Sequence, residues 1–272
     1  MSIYTKIFEL ESKGEPFALC TIVRSQGSTP RGTGSKMLVL EDGSIVDTVG
    51  GGEMENRVVS AAKDALLDGN TRILSYSFID PGRGDPGVCG GQVEVYVEPN
   101  LPPPSLVVIG AGHVGKAVAH LAKWLGFRVV VSDDRPEFSS QDAVPEADLV
   151  HQGTLSQLPD FMHINPWTYL VLTTRGVDVD LEGLPLLLET PAAYIGVIGS
   201  RRRWAVARKK LEAAGIPAEQ LDRIHSPIGL ELNAETPEEI AVSILAEIIM
   251  LRRGGDGRPM KIAGTEVENT SV

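Results

Sequence analysis

The chain has 272 residues, which is enough for one large domain or two ordinary ones. Its 42% apolar and 22% charged residues are ordinary globular values and exclude a chain that is disordered throughout. The formal net charge of −11 argues against DNA or RNA as a partner, because nucleic-acid binding depends on positive charge that neutralises phosphates. Two widely separated cysteines, Cys20 and Cys89, do not make a disulfide framework, so reduced thiols are expected.

Neither an export signal nor a membrane span is indicated by the hydrophobic pattern. Residues 1–15 lack the apolar core of a signal peptide. No apolar run approaches the roughly 18 residues that a transmembrane helix needs. We therefore expect a cytoplasmic protein that contacts neither a membrane nor nucleic acid.

The first hundred residues predict a small α+β domain. An amphipathic helix is expected where Ile3, Ile7 and Leu10 recur at helical spacing. An Asp42-Gly43 turn indicates a hairpin, and Gly69 is a natural residue to end a helix. The predicted strands are 17–25, 36–40, 44–50, 71–78 and 91–99, and the predicted helices are 3–13 and 53–69.

Four prolines within residues 99–104 indicate a semi-rigid linker. Strands then alternate with helices, a pattern typical of a doubly wound parallel sheet. The fold class is therefore α/β, with a small α+β N-terminal domain followed by a Rossmann-like doubly wound parallel sheet domain. Strands are expected at 105–110, 127–134, 148–153, 168–174 and 192–200, and helices after the first strand to about residue 125, at 178–189 and at 200–214. Thr236, Pro237 and Glu239 predict the start of a last helix through a capping box.

The domain boundaries follow from these elements. Residues 1–98 form the N-terminal domain and 99–104 the linker. Residues 105–254 form the Rossmann-like domain, and 255–272 a loose tail without periodicity.

A glycine-rich turn, "IGAGHVG", follows the first strand of the second domain. Gly110, Gly112 and Gly115 have the spacing that lets a pyrophosphate approach the backbone at a helix N-terminus. Asp133, about 20 residues further on, is expected to meet a ribose hydroxyl. The alternative is a turn of the same fold without a ligand. His113 either faces the ligand or only hydrogen-bonds its neighbours.

The turn does not distinguish NAD(P) from another phosphate-bearing cofactor. An NAD(P)-dependent oxidoreductase also needs a residue that transfers a proton at its substrate. His151, His163 and His225 are candidates by residue type alone, so no catalytic residue is assigned.

A second possible phosphate site is "GSRRR", where Ser200 can cap a helix. Arg201, Arg202 and Arg203 oppose the helix dipole there, a cost that an anion would offset. The alternatives are a solvated basic face or arginines paired with acids of the first domain.

Cys89, in "GDPGVCGG", is the sharpest feature of the first domain. Gly90 and Gly91 beside it would let a ligand come close to the sulfur, and a thiolate is a soft ligand suited to a transition metal. Alternatively, Cys89 is a small buried residue in a tight turn, or it is a redox sensor whose thiol pKa is lowered. Cys20 is expected in the core.

Two further glycine-rich segments are either ligand-binding segments or ordinary loops. Residues 24–37 combine Arg31 and Lys36 with small polar residues that can form an anion nest. Residues 50–56 open a helix with Glu53 after a run of glycines, which also allows close backbone approach.

Together these segments resemble the XdhC/CoxI family, accessory proteins of molybdenum hydroxylases such as xanthine dehydrogenase, up to about residue 254. The resemblance implies a protein that binds the molybdenum cofactor, as molybdopterin or its dinucleotide form, protects it, and assists its sulfuration and its insertion into the apo-hydroxylase. It rests on seven segments in order: "GSTPRGTGSKM", "GGGEMEN", "GVCGGQVEVYVEP", "VIGAGHVG", "DDRPEF", "YIGVIGSRRR" and "SPIGLELNAETPEEIAVSILAEII".

The resemblance also implies partners and sites. An apo-hydroxylase and a cysteine desulfurase are the implied partners, and exposed strand edges favour a homodimer. Cys89 would lie near the molybdenum, with NAD(P) kept as a possible second cofactor. Glu53 stands where some relatives have a cysteine, and Val177 where many have a histidine. The candidate cofactor-binding residues are Arg31, Lys36, Glu53, Cys89, Gly90, Gly91, Gly110, Gly112, His113, Gly115, Asp133, Ser200, Arg201 and Arg202.

Overall fold

The computed structural model describes residues 2–78 and 90–261. The chain divides into two compact units, Met1–Pro103 and Pro104–Val272. The first unit contains a five-stranded sheet and the second a six-stranded sheet. Within the described ranges, every helix is too short or too polar to cross a lipid bilayer.

In its described residues, the first unit is an antiparallel sheet with two helices. Its strand order is β3-β2-β1-β5-β4. The elements are α1 (Ile3–Lys13), β1 (Phe17–Gln26), β2 (Lys36–Leu40), β3 (Ile45–Asp47), α2 (Gly52–Asp68), β4 (Arg72–Ser77) and β5 (Gln92–Asn100).

Local signals explain where these elements begin and end. Ser2 caps α1 by accepting a hydrogen bond from the Tyr4 backbone N–H, and Gly69 ends α2 in the left-handed conformation. The predicted hairpin between β2 and β3 is confirmed. The strand predicted at 44–50 is wrong beyond Asp47, because the next backbone N–H groups bond to a side chain of α2 rather than to a neighbouring strand.

The core of the first unit lies between α2 and the central strands. Val58 and Ala62 of α2 belong to the same buried cluster as Ile22 of β1 and Val95 of β5. Cys20 lies in this cluster with none of its surface exposed, which confirms its predicted place in the core. Burial raises the pKa of its thiol to about 12, so the sulfur stays protonated.

The second unit is a parallel sheet covered on both faces, which confirms the predicted fold class. Its strand order is β11-β10-β9-β6-β7-β8, the order typical of a doubly wound nucleotide-binding fold. The elements are β6 (Ser105–Ile109), α3 (His113–Trp124), β7 (Arg128–Asp133), β8 (Leu149–Gln152), α4 (Leu158–Phe161), β9 (Thr168–Leu172), α5 (Val177–Leu188), β10 (Tyr194–Val197), α6 (Arg201–Ala213), α7 (Ala218–Leu221), β11 (Ile224–His225) and α8 (Pro237–Arg253).

Alternation along β6 explains why helices cover both faces. Leu106 and Val108 are buried with side chains of α3 and α8. Val107 and Ile109 are buried on the opposite face with side chains of α5 and α6. Since successive side chains of a strand point to opposite faces, an unbroken apolar strand requires helices on both.

The second unit departs from the predicted elements mainly at their ends. The short elements α4, α7 and β11 were not predicted, and neither was the 3₁₀ turn Leu155–Gln157. The predicted strand 192–200 is restricted to Tyr194–Val197, since the chain turns at Gly199. The capping box of Thr236 and Glu239 at the start of α8 is confirmed.

Candidate functional site

The glycine turn after β6 is packed too tightly for side chains at two of its positions. A Cβ on Gly110 would lie 2.7 Å from the Thr173 carbonyl oxygen, and Gly110 has a φ of +100°. A Cβ on Gly115 would lie 2.0 Å from the Gly110 carbonyl oxygen. Gly112, which precedes α3, faces open space instead. The turn therefore brings backbone close to any group at the start of α3.

The turn lies at the point where the strand order reverses, between β6 and β9. Thr173, directly after β9, donates its hydroxyl to the Gly110 carbonyl at 2.5 Å. Its backbone N–H donates to the Ile109 carbonyl at 2.8 Å. In doubly wound sheets ligands bind outside the carboxyl ends of the strands at such a switch point.

Asp133 holds the turn in place instead of offering a free carboxylate. It accepts from the backbone N–H of Ala111 at 2.8 Å and from the Arg135 guanidinium at 2.8 Å through each oxygen. It also accepts from the Arg135 backbone N–H, so each oxygen has two donors. Burial would raise the pKa of Asp133, but these donors outweigh it and lower that pKa. The acceptor sites of Asp133 are filled from within the chain, so the predicted contact with a ribose hydroxyl would have to replace one of these hydrogen bonds.

The neighbouring carboxylate, Asp134, is the accessible one. Its oxygens accept from Arg175, which follows β9, at 3.1 and 2.9 Å. Its sequence neighbour Arg135 is bound to Asp133 instead. Arg135 also lies over the Phe138 ring, 3.8 Å from its centre.

A crevice of about 70 Å³ opens beside the turn at the carboxyl ends of β6, β7, β8 and β9. Sequence reasoning missed most of its lining. The available signal was position, since these residues follow directly after successive strands of one parallel sheet. They include Gly110, Asp134, Thr154, Thr174 and Arg175. Glu182 of α5 adds a carboxylate to the lining.

The histidines of the second unit lie away from this crevice. His113, in the first turn of α3, lines a separate groove with His120 and residues at the start of α8. His151 is buried, lies 2.9 Å from the Ser132 hydroxyl, and has its pKa lowered by burial. None of the described histidines lines the crevice, so the structure places no proton-transferring imidazole there.

His225 belongs to a polar cluster at the edge of the sheet. Its ring stacks on Tyr194 at 4.7 Å and faces Glu247 at 3.3 Å. Glu247 also accepts from the Tyr194 hydroxyl at 2.5 Å and from the Gly229 backbone N–H at 2.8 Å. Burial would raise the pKa of Glu247, but these hydrogen bonds outweigh it and lower that pKa. The cluster fastens the loop after β11 to α8.

The arginines at the start of α6 divide into two groups. Ser200 caps α6 as predicted, accepting from the Arg203 backbone N–H at 3.1 Å. The Arg203 side chain turns inward and donates to buried Asp180 at 2.7 Å, so its partner lies in its own unit rather than in the first domain. Arg201 and Arg202 are exposed, and Arg201 lines a polar cavity with the loop after β11. Those two arginines remain available to an anion.

In the first unit, three glycine-rich segments meet at one end of the sheet. A Cβ on Gly91 would lie 2.3 Å from the Ser28 carbonyl oxygen, and one on Gly27 would lie 3.1 Å from the Gly90 carbonyl oxygen. A Cβ on Gly50 would lie 3.0 Å from Pro30. We call segments 27–34, 50–52 and 90–91 the glycine edge. Cys89, which precedes the last segment, lies outside the described residues.

Much of the glycine edge is open on its other side. Five of its glycines have no heavy atom within 4 Å of the position that a Cβ would occupy: Gly32, Gly34, Gly51, Gly52 and Gly90. Among the described residues no side chain covers these positions. The N–H groups of Gly34 and Gly90 donate to the carbonyls of Ile22 and Phe78, and that of Gly51 donates to Glu55, which leaves mainly carbonyl groups open to a ligand.

The charged candidates of the first unit take separate positions. Arg31 and Lys36 line one cavity with Asp47, and Lys36 donates to the Thr21 hydroxyl at 3.0 Å. Glu53 is exposed and pairs with Arg57. No cluster of three or more metal-ligating side chains occurs among residues 2–78 and 90–261.

Glu55, rather than Glu53, contacts the glycine run. Its carboxylate accepts from the backbone N–H groups of Val49 and Gly51 at 3.2 and 3.1 Å. It also accepts from the Thr48 hydroxyl. Glu55 therefore orders the start of α2.

Family models match most of the chain. Residues 106–248 match a model described as the XdhC Rossmann domain. Residues 10–77 match a model of the XdhC and CoxI family.

Curated relatives agree with these matches. Escherichia coli (strain K12) uncharacterized protein YqeB is 36% identical over 94% of this chain and 47% of its own length. A probable xanthine dehydrogenase subunit of Bacillus subtilis (strain 168) is 33% identical over 58% of this chain and 46% of its own length. The chain thus spans about half the length of these two relatives. Escherichia coli (strain K12) molybdenum cofactor insertion chaperone PaoD is 24% identical over 88% of this chain and 84% of its own length.

A solved structure has the same fold. The protein, from Bacillus halodurans and described as a xanthine dehydrogenase, gives a TM-score of 0.51 at 23% identity. The match covers 97% of this chain and 98% of the other.

Proposed function

The chain belongs to the XdhC and CoxI family, and on that premise we propose that it is an accessory protein in the maturation of a molybdenum hydroxylase. In this proposal it binds and protects the molybdenum cofactor, assists its sulfuration and delivers it to an apo-hydroxylase of the xanthine dehydrogenase type. The similarity to a molybdenum cofactor insertion chaperone along most of both chains supports it. None of the helices among the described residues is both long and apolar enough to cross a membrane.

The glycine edge is the observation that carries this proposal. Three of the segments on which the family resemblance rests are far apart in sequence and meet there, with open backbone beside them. A pterin offers many hydrogen-bonding groups, and exposed backbone C=O groups are suitable partners for it. The cofactor, when bound, supplies the molybdenum centre that the hydroxylase uses.

The residues present fit a cofactor held mainly through its organic part. The described residues contain no cluster of three or more metal-ligating side chains. We assign Cys89 as the thiolate closest to the metal, and Arg31 and Lys36 as cations for the cofactor's phosphate. Glu53 is paired with Arg57 and borders this surface without filling it.

We propose separately that the second unit binds the phosphates of a nucleotide. Gly110, Gly112 and Gly115 place the N-terminus of α3 at the crevice, where backbone N–H groups favour a pyrophosphate. Exposed Arg201 and Arg202 would add positive charge at the start of α6.

Anaerobic binding of purified molybdenum cofactor tests the proposal. Free cofactor is removed on a desalting column, and pterin fluorescence and molybdenum are measured in the protein fraction. We expect stoichiometric retention by the wild type, reduced retention by Cys89→Ser and Lys36→Gln, and unchanged retention by Lys63→Gln. Lys63 is an exposed lysine beside Gly43, at the opposite end of β2 from Lys36. A wild-type protein that retains no pterin would contradict the proposal.

The oxidoreductase alternative is favoured by one observation, the crevice at the switch point of a nucleotide-binding fold. It requires a proton-transferring group there, and none of the described histidines lines the crevice. Calorimetric titration with NAD(P), run beside the pterin assay, separates the two functions. NAD(P) binding without pterin retention would select the oxidoreductase.

Two further parts of the proposal concern partners. We propose a homodimer, which light scattering of the purified protein measures directly. We also propose contact with an apo-hydroxylase and with a cysteine desulfurase. Reconstitution of an apo-hydroxylase with and without this protein measures delivery, and addition of the desulfurase with cysteine measures sulfuration.

A further inference from the structure

An ion pair closes the rim of the crevice. Asp134 follows β7 and Arg175 follows β9, and their side chains meet at 2.9 Å. Between these two strands lies β6 with its glycine turn. Both side chains are half exposed, at 49% and 55%. The pair therefore lies where solvent reaches the crevice, beside the glycine turn.

Both members of this pair line the crevice of about 70 Å³. Exposed ion pairs contribute little to stability, since water and salt screen them. The Asp134–Arg175 pair can therefore be exchanged for contacts with a ligand.

The adjacent pair at Asp133 behaves differently. That carboxylate is 2% exposed and its pair with Arg135 supports the glycine turn. Breaking it would disturb the turn itself. Asp134 thus combines the position of the ribose-binding acid in this fold with oxygens that a ligand can reach.

We propose that Asp134 binds the 2′,3′-diol of a ribonucleotide and that Arg175 leaves it to pair with the ligand's phosphate. This inference rests on the proposed nucleotide-binding role of the second unit. The ribose hydroxyls donate to the carboxylate in place of the guanidinium, so the carboxylate keeps its hydrogen bonds. The released guanidinium gains a phosphate oxygen as acceptor.

The same groups select against a phosphorylated ribose. A 2′-phosphate would face the carboxylates of Asp133, Asp134 and Glu182, all of which line the crevice. Arg135 is committed to Asp133, and Arg175 pairs with the other phosphate of the ligand in this proposal, so neither guanidinium is available to a 2′-phosphate. The site therefore accepts ribonucleotides with a free 2′ hydroxyl and discriminates against 2′-phosphorylated ones.

Calorimetry with small probes tests this inference. CDP, GDP and ADP are each titrated against their 2′-deoxy counterparts, and NAD is compared with NADP. We expect at least one ribonucleoside diphosphate to bind, and to lose about tenfold or more in affinity without its 2′ hydroxyl, the effect of one hydrogen bond to a charged group. NAD, where it binds, should bind more tightly than NADP.

Matched variants test whether the Asp134–Arg175 pair causes the affinity difference between ribo- and deoxynucleotides. Asp134→Asn should remove most of the difference between ribo- and deoxynucleotide, and Arg175→Gln should keep that difference. Asp142→Asn, a change at an exposed carboxylate outside the crevice, should behave like the wild type. Equal affinity for ribo and deoxy probes, tighter binding of NADP than of NAD, or no nucleotide binding would each overturn the inference. Pterin retention, measured separately, shows whether the accessory function fails as well.

Discussion

Gly115→Ala is expected to destabilise the second unit, although alanine is the better helix former. Its Cβ would lie 2.0 Å from the Gly110 carbonyl oxygen, so α3 or the turn must move by about 1 Å to restore a 3.0 Å contact. Overpacking against backbone costs up to about 3 kcal/mol. The higher helix propensity of alanine over glycine offsets about 1 kcal/mol of this cost. A loss of about 2 kcal/mol in the free energy of unfolding is therefore expected.

Tryptophan fluorescence during urea unfolding measures this loss in the second unit alone. The three tryptophans of the chain, Trp124, Trp167 and Trp204, all lie in that unit. Gly112→Ala is the matched control, since its Cβ meets open space and its φ of −69° suits alanine. That variant should lose at most about 1 kcal/mol, because alanine is only a poorer N-cap. A Gly115→Ala protein as stable as the wild type would refute the packing argument, as would an equal loss at Gly112.

Three further outcomes are expected. Glu247→Gln should lower the free energy of unfolding by about 1–2 kcal/mol at pH 7. Since the pKa of Glu247 in the folded protein lies below its ordinary 4.5, the difference from wild type should shrink below pH 4.5 and vanish as the pH falls through the folded pKa. A pH-independent difference in urea titrations would contradict this. Native protein at pH 8 should take up iodoacetamide at Cys89 at most, because the pKa of Cys20 is raised to about 12; peptide mapping that finds Cys20 labelled without denaturant would disprove its burial. Asp133→Asn should cost about 2 kcal/mol in the same urea assay through loss of the Arg135 pair, and full stability would show that this pair does not support the turn.

The order of elements was predictable because its signals are local. The tight turn at Gly110, the capping box at Thr236 and the left-handed helix end at Gly69 each depend on a few adjacent residues. The change from mixed elements to alternating strands and helices after the prolines predicted the parallel sheet. Strand ends were less accurate, since a strand stops where its neighbour stops.

The choice between adjacent acids was not predictable. Asp133 ends β7 and Asp134 follows it, and a shift of one residue turns a side chain to the opposite side. Only the packed turn, with the Ala111 N–H directed at Asp133, decides which carboxylate is held in the turn and which is exposed. Glu53 and Glu55 present the same problem on a helix, where residues two apart do not share a face.

The strand order of the first unit has a consequence for synthesis on the ribosome. β5 is the last strand of that sheet to be made, yet it lies between β1 and β4, and its register pairs Phe17 with Asn100. Until residue 100 has left the exit tunnel, β1 and β4 each present an unpaired edge, the kind of edge that invites wrong pairing. The glycine edge is completed in the same event, because Gly90 and Gly91 reach the Gln26–Thr29 backbone only when the strand that follows them docks. Nascent chains that stop short of β5 would therefore lack both the closed sheet and the surface proposed for the cofactor.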